Sequence, residues 1–248
     1  MTKLTAAWIA ALVAAVGLAA CGDDDDPHRG LPQGSERVTL KPADFTTRID
    51  NPYFPMSVGT RWEYRETDTA GGREKIVVRV TDETKRIANG VTARVIRDTV
   101  TDKGVPVEVT DDWFAQDKDG NVWYLGEYVT NYEDGKVADH AGSFEAGVGG
   151  AQAGIAMPAD PQPGLSYRQE YLAGEAEDRG AIVTVGEEQV EVPFGFYKQD
   201  VVMTRDLVPT EPRAQELKFY VRGIGPVLSI HTDGDGGRAE LVAFKRGR

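Results

Sequence analysis

Among its 248 residues the sequence has one cysteine, three histidines and a shortfall of positive charge. One cysteine leaves no internal disulfide. The histidines, His28, His140 and His231, have no second His or Cys at ligand spacing, so no transition-metal set and no cofactor is expected. Lys+Arg number 28 against 40 Asp+Glu, a formal charge of -12. With no basic cluster against it, such a surface repels phosphate backbones, which excludes nucleic acid as a partner. It also argues against direct attraction to anionic headgroups. No amphipathic helical period occurs beyond the N-terminus. There is no Gly-x-Ser-x-Gly elbow, and the glycine-rich stretch Gly147 to Gly154 precedes no helix, so it is no phosphate cradle.

What is present begins at the N-terminus. Lys3 is followed by the apolar run Leu4 to Ala20, too short and Ala-rich for a membrane span but suited to a signal-peptide core. The run ends Leu18-Ala19-Ala20-Cys21-Gly22, which resembles the lipobox of bacterial lipoproteins. The resemblance implies removal of residues 1–20 and a diacylglyceryl group on Cys21, with fatty chains such as palmitate. It places the protein in the cell envelope, lipid-anchored and facing the periplasm or the exterior, with the membrane as its first partner. Two acyl chains, at about 0.8 kcal/mol per buried methylene, hold a soluble domain stably. An ordinary secretory signal with a coincidental cysteine is the alternative. Residues 21–37, with Asp23 to Asp26 in succession and Pro and Gly beyond, read as a disordered acidic tether.

From Val38 the signal is alternation. Strands are expected near 60–67, 74–82, 91–101, 105–116, 121–132 and 136–145, then 165–172, 180–193, 198–208, 215–222, 226–232 and 238–245. Short turns such as Asn89-Gly90, Lys103-Gly104 and Asp119-Gly120 join them, which only antiparallel neighbours allow. Asp119-Gly120 as a two-residue turn would set Lys118 opposite Asn121, Gln116 opposite Trp123 and Phe114 opposite Leu125. The buried face would then be Phe114, Trp123 and Leu125. A shift of 105 residues lays Gly59 on Gly164, Trp62 on Tyr167, Phe114 on Phe219, Gly120 on Gly225 and Val122 on Val227, which argues for an internal duplication. The expected fold is all-β: one domain over 38–248, a meander of about twelve strands in two repeats, 52–148 and 157–245. It would form one curved sheet or open barrel, with two packed sheets as the runner-up. Residues Ala146 to Gly154 read as a connector.

The body resembles a family of bacterial secreted lipoproteins that share a proline-punctuated Gly-x-x-Trp-x-Tyr opening and a Trp-Phe-Ala-Gln-Asp-x-x-Gly-Asn-Val-Trp-Tyr hairpin. Here these are Gly59 to Tyr64 and Trp113 to Tyr124. The resemblance implies compartment and fold and brings no reaction with it.

Candidate chemistry is sparse. Glu170 and Glu177, within an acidic cluster that includes Glu175 and Asp178, could serve as paired acids on a glycoside, or could be a solvated loop. Tyr124, Tyr128 and Tyr132, on the side opposite Trp123, could form an open stripe for a lipid or sugar. A Ser229, His231 and Asp233 set can be drawn on paper, at a spacing that chance often produces. Three function classes follow: a non-catalytic domain binding a lipid, a glycan or an envelope protein; a hydrolase of envelope glycans or lipids; and a structural lipoprotein lacking any pocket.

Overall fold

Glycine-bearing turns cut the chain into short extended runs that must pair in space. The computed structural model describes residues 30–209, 215–232 and 236–248. The signal peptide, Cys21, the first part of the tether and Asp233 lie outside the described residues. Eighteen strands follow in order. The first nine are β1 (Phe45–Thr46), β2 (Arg61–Asp68), β3 (Arg73–Arg86), β4 (Thr92–Asp102), β5 (Val105–Asp117), β6 (Val122–Glu133), β7 (Lys136–Asp139), β8 (Phe144–Glu145) and β9 (Gln152–Met157). The rest are β10 (Ser166–Arg168), β11 (Glu170–Tyr171), β12 (Arg179–Val185), β13 (Gln189–Val192), β14 (Gly195–Lys198), β15 (Val201–Leu207), β16 (Gln215–Val221), β17 (Gly225–His231) and β18 (Gly237–Lys245). Among the described residues the one helical element is the 3-10 turn Pro42–Asp44. None of their helices is long and apolar enough to cross a membrane.

The main sheet runs β10-β12-β15-β16-β17-β18-β2-β3-β4-β5-β6-β9-β11, every pair antiparallel. Its two ends, β10 and β11, are successive parts of a single stretch of chain, so the sheet bends round into a nearly closed barrel. Closure leaves few unpaired edges. Three expected strands divide: 136–145 becomes β7 and β8, 165–172 becomes β10 and β11, and 180–193 stops at Val185, beyond which β13 and β14 form a separate hairpin. The supposed connector supplies β9, which pairs with both β6 and β11.

Arg168 locks the closing joint. The residue is 1% exposed. Its Nε and Nη2 donate to the Ala153 carbonyl of β9 at 3.1 and 2.7 Å, and Nη1 donates to the Glu36 carbonyl at 2.8 Å and to that of Gly34. A side chain on Gly154 would stand 2.2 Å from the Gln169 carbonyl oxygen, so glycine is what lets β9 approach. Residues 31–36 also belong here. The Arg168 amide donates to Pro32, Gln33 Nε2 donates to the Ser166 carbonyl at 2.7 Å, and Leu31 packs on the core. The tether expected over 21–37 therefore gives way to docked chain by Leu31, because the joint offers unpaired backbone groups.

One end of the barrel is stoppered by the proline-rich opening. Asn51 is buried, and its Oδ1 accepts from the Tyr53 and Phe54 amides while Nδ2 donates to the carbonyls of Gly120 and Pro158. The Gly223 amide donates to the Pro52 carbonyl. Held this way, Phe54 makes edge contacts at 5.8 Å with both Phe114 and Tyr220.

The β5–β6 hairpin corrects the expected register. Asp117, not Lys118, faces Asn121, and the loop has three residues. Asp117 Oδ1 accepts from the Asp119 and Asn121 amides, and Oδ2 from Asn121 Nδ2 and Trp123 Nε1, all at 2.8 to 3.0 Å. Gly120 closes the loop at φ +97°, outside the range most side chains tolerate. Phe114 consequently faces Tyr124, and Ala115 faces Trp123. Trp113, Ala115, Trp123 and Leu125 form the outward buried face, covered by Phe45 and by the Lys85 ammonium 3.9 Å above the Trp113 ring.

The two halves share a turn. Thr60 donates to Ser57 and Gly59 to Val80; 105 residues on, Leu165 donates to Gln162 and Gly164 to Ile182. Gly59 and Gly164 both sit at φ +86°.

Candidate functional site

Alternation sends every second side chain of a barrel strand inward. In this barrel those side chains leave a cavity of about 460 Å³, lined from β2 through β6, from β9 and β11 and from β16 through β18. Its stoppered end is aromatic. Phe114 and Tyr124 stack at 4.9 Å, and Phe54, Tyr220 and Tyr64 stand close by. Tyr64 is anchored by donating to the Pro226 carbonyl at 2.9 Å. Ile76, Val78 and Leu228 add aliphatic wall.

The remaining lining is acidic. Six carboxyl groups face one lysine and one histidine. On the β16 side charge is matched: Lys218 Nζ lies 2.8 Å from Asp206 and 2.9 Å from Glu216. Burial alone would lower the Lys218 pKa, but the two carboxylates outweigh it and hold the ammonium well above its usual range. Burial would likewise raise Glu216, and Lys218 outweighs it, leaving that carboxylate below its usual range. His231 Nε2 lies 3.6 Å from Glu66.

Across the cavity no such partner stands. Burial, then Glu108, pushes the Asp98 carboxyl up to about 6. Burial, then Glu170, pushes Glu127 up to about 8. Glu170 is pushed up to about 8 by burial and by Asp178, with Lys218 offsetting part of the rise. Asp112 is raised well above the ordinary carboxylate range by burial and by Glu127, although it accepts the Tyr124 phenol at 2.8 Å. Desolvation without a counter-charge is the common cause. Among the described residues no three acidic, His or Cys side chains converge as a metal cage.

Of the residues singled out from the sequence, Glu170 and Tyr124 line this cavity. Glu177 does not: it caps the Gly174 amide at 2.9 Å and borders, with Glu170, a smaller crevice of about 190 Å³ at the barrel joint. Tyr124, Tyr128 and Tyr132 form no stripe. Gly126, at φ +131°, makes a bulge that inserts one extra residue, so Glu127 instead of Tyr128 follows Tyr124 into the cavity. Tyr128 is 48% exposed and stacks on His140 at 4.7 Å. Ser229 and His231 face the cavity too, but Ser229 is engaged with Glu216, and no nucleophile–base contact joins them. Sequence reasoning missed Asp98, Asp112, Glu127 and Lys218. Each is a charged residue at an inward position of a strand, a signal readable only once register is known.

No protein-family model and no curated protein matches the sequence. Among solved structures, the chain is similar to a predicted exported protein with a YmcC-like fold from Bacteroides fragilis: TM-score 0.44, 17% identity, 79% of this chain and 100% of that one. A predicted lipoprotein from Parabacteroides distasonis is similar at TM-score 0.42 and 14% identity, over 79% of this chain and 99% of that one. A β-barrel-like protein of the domain of unknown function DUF1849 from Brucella abortus gives TM-score 0.41 and 12% identity, over 78% and 100%. At these values the likeness carries no assignment of role.

Proposed function

We propose that this chain is a lipid-anchored cell-envelope protein, made from a doubled β meander, that binds a small molecule inside its barrel and catalyses no reaction. The observation that carries this is the cavity of about 460 Å³ with an aromatic end, within the size range of sites for small organic ligands. The lipobox at Cys21 supports the anchor, and the paired turns at Gly59 and Gly164 support the doubling. A structural lipoprotein without a pocket fits a cavity of this size poorly.

The hydrolase reading fits less well. Acid/base work on a glycoside needs one carboxyl protonated beside one ionised. Glu127 and Glu170 are both pushed up to about 8, so at neutral pH both are acids. Glu177, the other acid expected to pair with Glu170, is spent on a turn amide.

The binding reading is tested with N-phenyl-1-naphthylamine, a neutral dye that brightens in apolar surroundings. We expect saturable brightening at one dye per chain, weakened when Ala156→Trp fills the cavity; absence of saturable binding sinks it. For the anchor, Cys21→Ser should release the protein from membranes into the soluble fraction, and continued retention would count against lipidation.

A further inference from the structure

The interior walls carry more carboxyl groups than the chain pairs with cations, and this asymmetry names a ligand class. We propose that the barrel's ligand is an organic cation, an amine or ammonium seated between the acids of β4, β6 and β11, with an apolar body against the aromatic end. The inference rests on the cavity-binding reading above.

Three observations converge. Asp98 lines the cavity, yet its Oδ1 is fully buried and accepts no hydrogen bond, while the carboxylate takes one bond from the Thr99 amide. An orphaned buried acceptor is costly, by about 1–3 kcal/mol, and calls for a donor. The groups that act on Asp98 electrostatically are Glu108 on β5 and Glu66 on β2, both acidic. Those acting on Glu127 are Glu170, Glu108 and Asp178, acidic again. The one lysine of the cavity is already held by Asp206 and Glu216, and the one histidine faces Glu66. Arg168, at the end of β10 and two residues before Glu170, turns its guanidinium to backbone carbonyls of the joint.

The chemistry of the occupant follows from placement. Carboxyl groups distributed along a wall without converging suit a donor-bearing organic cation more than a metal ion. Faces of Tyr64, Phe114, Tyr124 and Tyr220 attract a cation through their ring quadrupoles and shelter its apolar part. An anionic lipid would bring a further desolvated negative charge beside the acids, which disfavours it. Seating a cation here should also ionise carboxyls that burial keeps protonated, so binding should release protons and tighten as pH rises from 6 to 8.5.

The test uses three amphiphiles of one tail length that differ only in head charge: dodecyltrimethylammonium, dodecyldimethylamine oxide and dodecanoate, each displacing N-phenyl-1-naphthylamine from the purified protein. The cation should displace the dye at about tenfold lower concentration than the anion, with the neutral head between them. Asp98→Asn and Glu127→Gln should each shrink that preference, and the pair together should remove it. Dodecanoate competing as well as the cation would overturn the inference, as would a preference that survives both substitutions and so arises from the acidic exterior. Dye that binds but resists the cation sinks the ligand class and spares the cavity reading; dye that never binds sinks both.

Discussion

The two walls of the barrel solve the same problem differently. On β15 and β16, Asp206 and Glu216 share Lys218, and a buried cation makes buried anions tolerable. On β4, β5 and β6, Asp98, Asp112 and Glu127 have no cation beside them, and burial raises the pKa of each. The difference lies in what is absent from the second wall, and it is there that a ligand can supply a charge the sequence withholds.

The largest expected effect breaks the joint that makes both walls one ring. Arg168→Ala removes a buried guanidinium and orphans the carbonyls of Ala153, Glu36 and Gly34. It should cost about 4 kcal/mol in urea unfolding, since each orphaned buried acceptor costs about 1–3 kcal/mol. Next comes making the paired wall resemble the unpaired one. Lys218→Met leaves Asp206 and Glu216 unneutralised and should cost about 3 kcal/mol at neutral pH, with a smaller loss near pH 5 as Glu216 takes up a proton. A loss independent of pH would contradict the ion-pair account.

The smallest effect separates the walls by pH. Glu127 and Glu170 ionise near 8 when folded and near 4.5 when unfolded, so between those values the folded chain holds more protons. Their contribution is fully present below about 4.5 and is lost as pH rises through about 8, at about 1.4 kcal/mol per unit for each group. Glu216, held low by Lys218, works in the opposite sense: its contribution is present above about 4.5 and is lost as pH falls through its depressed folded value. Stability should therefore peak near pH 5. The double variant Glu127→Gln/Glu170→Gln should flatten the alkaline side and leave the acid side unchanged. Thermal unfolding across pH 4 to 9 reads both limbs.

The strands were legible because alternation and Gly-bearing turns are local signals, and β2 to β6 and β15 to β18 lie within a few residues of expectation. The face each side chain takes was not. It turned on Asp117, whose carboxylate gathers four donors and lengthens the Asp119-Gly120 loop by one residue, and on the extra residue at Gly126. Each event reverses which residues point inward, so Phe114 enters the cavity and Tyr128 leaves it. Glu170 was legible as chemistry, and Asp178 with it, but Asp112, Glu127 and Lys218 come to it from β5, β6 and β16, and no spacing along the chain reveals them. The β9 strand hid in a Gly- and Ala-rich stretch because the joint demands small residues, the composition that otherwise marks a connector.

The Asn51-to-Phe54 stopper sets the direction of traffic. A tube open at both ends could pass cargo through; one corked by Phe54 is a cup. A ligand held there would have to leave by the end where it entered, so its delivery would require that end to meet the receiver.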